Sequence, residues 1–375
     1  MPEGVSKAVS AENISVGYGR ITVAGGISFS VEKGEILTLI GANGAGKSTV
    51  LKSISAQLPL LGGYVCINGE ELSAAGAKKL SKELALVLTE RIHSERMTCR
   101  DIAATGRYPY TGRLGLLTEQ DEKAVDEAME LTGISYLADV DFREISDGQR
   151  QCVMLARAIA QQPDVLLLDE PTSFLDINHK LGLLSLLRKL TKQKNIAVIQ
   201  SLHELDLAQR FSDKLVCIKD KQAVLVGTPE EVFSGRFIEE LYGIENGSFH
   251  NSYCIVEPQG TKGVPEVFVI GGGGGAIPVY RELNRKGIPF AAGIIHENDI
   301  EYPAVSSMAA VMFTETAFEP ISDESIQAAL EVLEKCPRVI CCHDSFGMMN
   351  AGNAVLRDRA VEIGSLEIKS AKNAK

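Results

Sequence analysis

The chain has 375 residues and a formal net charge of −11 at neutral pH, with the acidic residues spread along its length. This length exceeds one ordinary hydrophobic core and suits two domains of unequal size, and the acidic balance argues against an electrostatic DNA-binding protein. No apolar run reaches the roughly 18 residues of a membrane span, and the N-terminus lacks the apolar core of a secretory signal. We therefore expect a soluble, intracellular protein.

A phosphate-binding loop follows an early apolar strand. The sequence ILTLIGANGAGKST runs from that strand into Gly-x-x-x-x-Gly-Lys-Ser. The glycines let backbone NH groups turn toward an anion, and the next helix adds its positive N-terminal end. Lys47 is expected to reach the β- and γ-phosphates of ATP, and the Ser48 hydroxyl to bind Mg²⁺. The predicted nucleotide contacts are Gly41, Asn43, Gly44, Ala45, Gly46, Lys47, Ser48 and Thr49.

A second anion site is predicted at EISDGQRQ, where an amphipathic helix begins. The free NH groups and the dipole of a helix start attract phosphate. The candidate ligand-binding residues here are Ser146, Gly148 and Gln149.

Two acids then end a buried strand in PDVLLLDEPTSFLD. The apolar run before them predicts a parallel strand that delivers both carboxylates to the phosphate site. Asp169 suits the Mg²⁺ shell, and Glu170 is placed to orient or deprotonate the attacking water. The sequence therefore predicts nucleotide hydrolysis as well as nucleotide binding.

This order of motifs resembles the ATP-binding subunit of an ABC transporter. ISDGQ is similar to the family signature Leu-Ser-Gly-Gly-Gln, with Ile145 and Asp147 as departures. The resemblance implies an α/β P-loop ATPase domain with a RecA-like core, a helical subdomain and a β-subdomain, and a head-to-tail homodimer with ATP at its interface. It implies that Tyr18 stacks on adenine, although a tyrosine in a strand can also simply pack. It further implies that Asp176 lies near the dimer seam and that His203 senses the γ-phosphate.

One position departs from the family. A glutamine normally follows the strand that is ELALVLTER here, and this chain has Thr89 and Glu90 instead. That glutamine helps to bind Mg²⁺ and links ATP to the membrane partner. Either Glu90 replaces the glutamine as a metal ligand, or ATP binding is coupled to the membrane partner in a different way.

A further stretch of sequence resembles one branch of this family in particular. Gly106 to Pro109 is similar to the Gly-Arg-x-Pro segment of the importers for iron siderophores, haem and cobalamin. The resemblance implies a separate membrane permease that docks near Thr89 to Arg113, a substrate-binding protein in the complex, and no nucleic acid. It places the chain at the cytoplasmic face of the cell membrane.

The chain is predicted to divide into an ATP-binding domain over 1–244, a connector over 245–265 with one short strand at Tyr253 to Val256, and a second domain over 266–375. Strands and helices alternate regularly in this last part, which predicts a small Rossmann-like parallel α/β domain.

A run of five glycines opens the first helix of that domain. Gly271, Gly273 and Ala276 satisfy Gly-x-Gly-x-x-Gly/Ala, with Glu297 or Asp299 as the acid that a dinucleotide would need, somewhat late in the chain. No Lys-Ser follows the glycines, so this loop does not repeat the hydrolytic arrangement. Three interpretations stay open: an accessory ligand site at Gly271, Gly273 and Gly275, a structural turn, or a dehydrogenase site.

The leading hypothesis is an importer ATPase for a metal chelate. One alternative is a soluble ABC ATPase that acts on nucleic acid or translation, although such proteins usually carry two nucleotide domains or a long coiled coil. The other is an ATPase fused to an oxidoreductase-like domain, which retention of NAD or NADP on purification would favour.

Overall fold

The computed structural model describes residues 7–88, 96–112 and 115–369. The chain forms two compact units, Met1–Tyr242 and Gly243–Lys375. Among the described residues, no helix combines the length and the apolar character needed to cross a membrane.

The first unit is built on a ten-stranded sheet of order β5-β4-β1-β2-β10-β9-β3-β8-β7-β6. Its strands are β1 (Lys7–Tyr18), β2 (Ile21–Glu32), β3 (Ile36–Ile40), β4 (Gly62–Ile67), β5 (Glu70–Glu71), β6 (Leu84–Val87), β7 (Val165–Leu168), β8 (Ala197–Ser201), β9 (Lys214–Lys219) and β10 (Gln222–Gly227). Strands β6, β7, β8, β3 and β9 run parallel, whereas β1, β2, β4 and β5 pair antiparallel. These two parts are the predicted core and β-subdomain, so the predicted fold class is confirmed.

Nine α-helices accompany this sheet within the described residues. They are α1 (Lys47–Ile54), α2 (Ala77–Glu83), α3 (Cys99–Ala104), α4 (Glu119–Leu131), α5 (Asp147–Ala160), α6 (Ile177–Lys194), α7 (Leu205–Phe211), α8 (Pro229–Val232) and α9 (Phe237–Tyr242). Helices α3, α4 and α5 pack on one another as the helical subdomain. Each of the three begins at a capping box, in which a Ser or Thr hydroxyl and an acid or amide three residues later satisfy the free NH groups.

The Gly-Arg-Tyr-Pro stretch holds the helical subdomain together. A Cβ on Gly106 would lie 2.0 Å from the carbonyl oxygen of Arg157, so only glycine allows this close approach. The Arg107 side chain is buried, and its Nε donates to Asp121 Oδ1 at 2.8 Å while Nη1 donates to the Ala160 carbonyl at 2.8 Å. Tyr108, by contrast, is 65% exposed. Gly106 and Arg107 of this stretch therefore have structural roles, whereas Tyr108 faces outward.

The second unit contains a five-stranded sheet of order β15-β14-β13-β16-β17, parallel throughout. The strands of this sheet are β13 (Val267–Ile270), β14 (Phe290–His296), β15 (Val311–Glu315), β16 (Arg338–Cys341) and β17 (Leu366–Ile368), and a separate pair is formed by β11 (Gly247–His250) and β12 (Ile255–Pro258). The helices of the second unit are α10 (Ile277–Arg285), α11 (Tyr302–Met308), α12 (Asp323–Leu333) and α13 (Gly352–Glu362). Buried apolar clusters cover both faces of the sheet, as expected of a parallel sheet.

The segment predicted as a connector holds a two-stranded hairpin, β11 and β12, in place of one short strand. The hairpin belongs to the second unit: Glu257 is buried and bonds to Arg281 at 2.5 Å, and the Gly260 amide donates to the Ser307 carbonyl at 2.9 Å. These are contacts between residues distant in sequence, which the local composition of Gly, Asn and Pro does not reveal.

Candidate functional site

The phosphate-binding loop connects β3 to α1. All five residues of β3 are buried, so the strand is fixed in the core and delivers Gly41 to the edge of the sheet. Gly44 and Gly46 adopt φ values of 79° and 106°, which residues with a Cβ rarely adopt. Gly41 is needed for a different reason, because a Cβ there would lie 2.3 Å from the Ile218 carbonyl oxygen. The loop geometry thus depends on three glycines.

Lys47 points back into this loop. Its Nζ donates to the carbonyl oxygens of Gly41 at 2.8 Å and Ala42 at 3.2 Å, and the side chain is 5% exposed. Burial lowers the pKa of Lys47, and the charges of Glu170 and Asp169 oppose that shift. A phosphate at the loop would add a further anionic partner for this buried ammonium.

Two hydroxyls and a carboxylate meet beside the loop. Ser48 Oγ donates to Asp169 Oδ1 at 2.9 Å, and Ser201 Oγ donates to the same oxygen at 2.8 Å. The parallel pairing of β3, β8 and β7 produces this meeting, since parallel strands end at one edge. A hydroxyl next to a carboxylate is the oxygen-donor set that Mg²⁺ prefers.

Glu170 lies one residue further, in a left-handed conformation with φ of 46°. Its Oε1 lies 2.5 Å from His203 Nε2, and its Oε2 accepts from Ser173 Oγ at 3.2 Å. A carboxylate held on two sides and still partly exposed is placed to take a proton from water. The structure therefore brings together the five predicted residues Lys47, Ser48, Asp169, Glu170 and His203.

Sequence reasoning missed two residues of this site. Ser201 is fully buried, donates to Asp169 and accepts from the Glu170 amide at 2.8 Å, so it holds both acids. The Tyr242 hydroxyl accepts from the Gly41 amide at 3.1 Å, and burial raises the pKa of Tyr242 to about 12, which keeps the hydroxyl neutral. The serine at the end of an apolar strand was a signal for the first, whereas no local pattern marks the second.

Ser201→Ala is expected to lower kcat about tenfold at saturating ATP, because the Glu170 amide loses its acceptor and Asp169 loses a donor. Steady-state hydrolysis across a Mg²⁺ titration measures the effect. Ser201→Thr keeps the hydroxyl and should recover most of the rate. Equal impairment of both variants would mean that packing, and not hydrogen bonding, explains the loss.

The other predicted contacts lie at element ends. Ser146 caps α5 by accepting from the Gln149 amide at 3.3 Å, and Gly148 lies close to Leu175, where a Cβ would come within 3.3 Å. Asp176 caps α6, accepting from the His179 amide at 2.9 Å, and Tyr18 at the end of β1 is 52% exposed. Tyr18 is thus about half exposed, and its stacking on adenine stays a prediction.

Comparison with known proteins decides the family. The ABC transporter model matches residues 24–173. An uncharacterized ABC transporter ATP-binding protein of Methanocaldococcus jannaschii, MJ0873, is 44% identical over 280 residues, which is 74% of this chain and 96% of that protein. The chain belongs to the ABC transporter ATP-binding proteins.

Further comparisons place this ABC ATP-binding protein within the family. A probable siderophore transport system ATP-binding protein of Bacillus subtilis, YusV, is 34% identical over 68% of this chain and 94% of that protein. The solved structure of an ABC transporter assigned to the metal-chelate type, in an inward-facing conformation, matches with a TM-score of 0.56 and 25% identity over 63% of this chain and 88% of that chain. The MJ0874 family model matches residues 290–373 of the second unit.

ABC ATP-binding subunits are ATPases coupled to transport, and the predicted ATPase activity is confirmed. The observed groups fit MgATP: a glycine loop, a buried lysine and a hydroxyl–carboxylate pair. Glu90, the other predicted metal ligand, lies outside the described residues together with Thr89 and Arg113. Its replacement of the family glutamine stays a prediction.

The second glycine loop of this ABC ATP-binding protein is occupied by its own acids. The buried Glu301 accepts from the amides of Gly272 at 2.9 Å and Ala276 at 2.7 Å and from the Tyr280 hydroxyl at 2.9 Å. Asp299, one of the two acids predicted for a dinucleotide, accepts from the Gly273 amide at 2.8 Å. Of the candidate residues, Gly271 has no space for a Cβ beside Glu301, and Gly275 lies against His343.

Proposed function

We propose that this chain is the ATP-hydrolysing subunit of an importer for a metal chelate of the iron-siderophore, haem or cobalamin class. The observation that carries the proposal is the assembly of Glu170, His203, Ser48 and Asp169 beside the phosphate loop. The name of the Bacillus subtilis relative and the metal-chelate type assigned to the matched transporter support the cargo class.

In this proposal each residue has a separate task. The glycine loop and Lys47 bind the phosphates, and Ser48 with Asp169 holds Mg²⁺, which when bound would supply charge stabilisation to the phosphoryl group. Glu170 accepts the proton of the attacking water, and His203 orients the Glu170 carboxylate from 2.5 Å. Ser201 fixes the two acids relative to one another.

The proposed assembly is a dimer bound to a membrane permease. Two copies form a homodimer in which Ser146, Gly148 and Gln149 of one copy close over the ATP of the other, with Asp176 at the seam. Each copy docks on a separate permease near Thr89 to Arg113, at the cytoplasmic face of the cell membrane, and a substrate-binding protein completes the complex. The exposed Tyr108 is the described side chain that we assign to this docking surface.

The test is to express the Glu170→Gln form in its own host, trap it with ATP, solubilise the membranes gently and identify the proteins recovered. A permease with many membrane spans is expected, and its bound cargo would identify the chelate. A Lys47→Ala, Glu170→Gln double variant, which cannot hold ATP, controls for trapping. Recovery of only ribosomes, nucleic acid or soluble enzymes would overturn the transport role and leave the ATPase activity intact.

A further inference from the structure

The second unit has a cleft of about 260 Å³ at the edge of its sheet. The lining residues follow four neighbouring parallel strands: Gly273 after β13, His296 and Asp299 at and after β14, Phe318 after β15 and Met349 after β16. Parallel α/β sheets bind small molecules at this carboxyl edge, where loops from adjacent strands diverge. The position of the cleft is therefore that of a ligand site.

The charges around the cleft disfavour a phosphate. A glycine loop binds phosphate through free backbone NH groups, but the amides of Gly272, Gly273 and Ala276 already donate to Glu301 and Asp299. An anion at Gly273 would have to displace the Asp299 carboxylate or lie against its negative charge. Among the described residues that line the cleft, none is a lysine or an arginine.

Asp299 keeps room for a donor. It is partly exposed, and within the described part of the chain its two carboxylate oxygens accept from the backbone amides of Gly273 and Glu301. A carboxylate has about four acceptor positions, so a ligand hydroxyl or ammonium can bind without breaking these contacts. The carboxylate that blocks a phosphate thus becomes the recognition group for a hydrogen-bond donor.

Apolar side chains border the cleft. Phe318 is 80% exposed at a φ of 66°, and Ile300 and Met349 are 53% and 38% exposed. Exposed aromatic and aliphatic groups beside a polar floor suit a ligand with a flat or apolar face.

We propose that this cleft binds a neutral or cationic small molecule with an apolar face and at least one hydrogen-bond donor, and not a nucleotide. Asp299 accepts from the donor, while Phe318 and Ile300 pack on the apolar face. The lining residues of this site all belong to the second unit, and its ligand does not depend on the transport proposal.

Three indole probes with different side chains test the proposal: tryptamine is cationic, tryptophol is neutral with a hydroxyl donor, and indole-3-acetate is anionic. Saturation-transfer NMR is recorded on the full chain with excess MgADP, which fills the nucleotide site. We expect binding of tryptamine and tryptophol and none of indole-3-acetate. Phe318→Ser should weaken the binding of both ligands about fivefold, and Asp299→Asn should weaken tryptamine more than tryptophol.

Val264→Ser, at a residue of the same unit that is 83% exposed and does not line the cleft, should change nothing. The proposal is overturned by binding of indole-3-acetate as strong as that of tryptamine, by binding that survives Phe318→Ser unchanged, or by no binding of any probe at millimolar concentration. Tight binding of NAD⁺ to the second unit would also overturn it.

Discussion

Glu170→Gln is expected to lower the rate of ATP hydrolysis by roughly 10²–10⁴-fold, because an amide cannot accept the proton of the attacking water. The glutamine keeps the size of the side chain and an oxygen for His203, so the phosphate loop and the proposed Mg²⁺ ligands stay in place. ATP should therefore still bind and should hold the dimer closed. Steady-state phosphate release measures the rate, and size-exclusion chromatography with and without ATP measures the dimer.

Glu130→Gln provides the matched control, since Glu130 is an exposed residue of α4 that takes no part in the site. It should hydrolyse ATP at the unmodified rate. If Glu170→Gln retains full activity as well, Glu170 is not the base. If it loses ATP binding together with hydrolysis, the carboxylate has a structural role in the loop and the proposed division of tasks is wrong.

Arg107→Ala is expected to destabilise the first unit by about 3–5 kcal/mol, which corresponds to a loss of about 10 °C in Tm. The variant leaves the Asp121 carboxylate buried without its cation and removes the donor to the Ala160 carbonyl. It also removes the guanidinium that lies 3.8 Å from the centroid of the Tyr110 ring. Thermal unfolding followed by circular dichroism measures the change.

Tyr108→Ser changes the adjacent, exposed residue and separates folding from docking. Its Tm should stay within about 1 °C of the unmodified protein, since exposed substitutions usually change stability little. Its recovery of the permease in the trapping experiment should fall. A normal Tm for Arg107→Ala would show that the buried pair contributes nothing to the fold and that the motif has another purpose.

The sequence alone determined the chemistry of the first unit. The phosphate loop, the acid pair and the histidine can each be predicted from a strand followed by a short motif, because each is a local arrangement of a few consecutive residues. The parallel strands then needed only to lie side by side for Lys47, Asp169 and Glu170 to meet, and the pairing of β3, β8 and β7 provides this. In the second unit the strand β17 has three residues, which are too few for a sequence pattern to predict it.

Tertiary structure alone decided the rest. The roles of Ser201 and Tyr242 depend on strand pairing and on a helix far along the chain. The burial of Arg107 depends on packing of the segment after α3 against α4 and α5. The second glycine loop is the clearest case, because its spacing suggested an anion site and its amides are instead occupied by Asp299 and by Glu301 from 25 or more residues away. A motif specifies which backbone groups are available, whereas the side chains that the fold brings to those groups determine what they can bind.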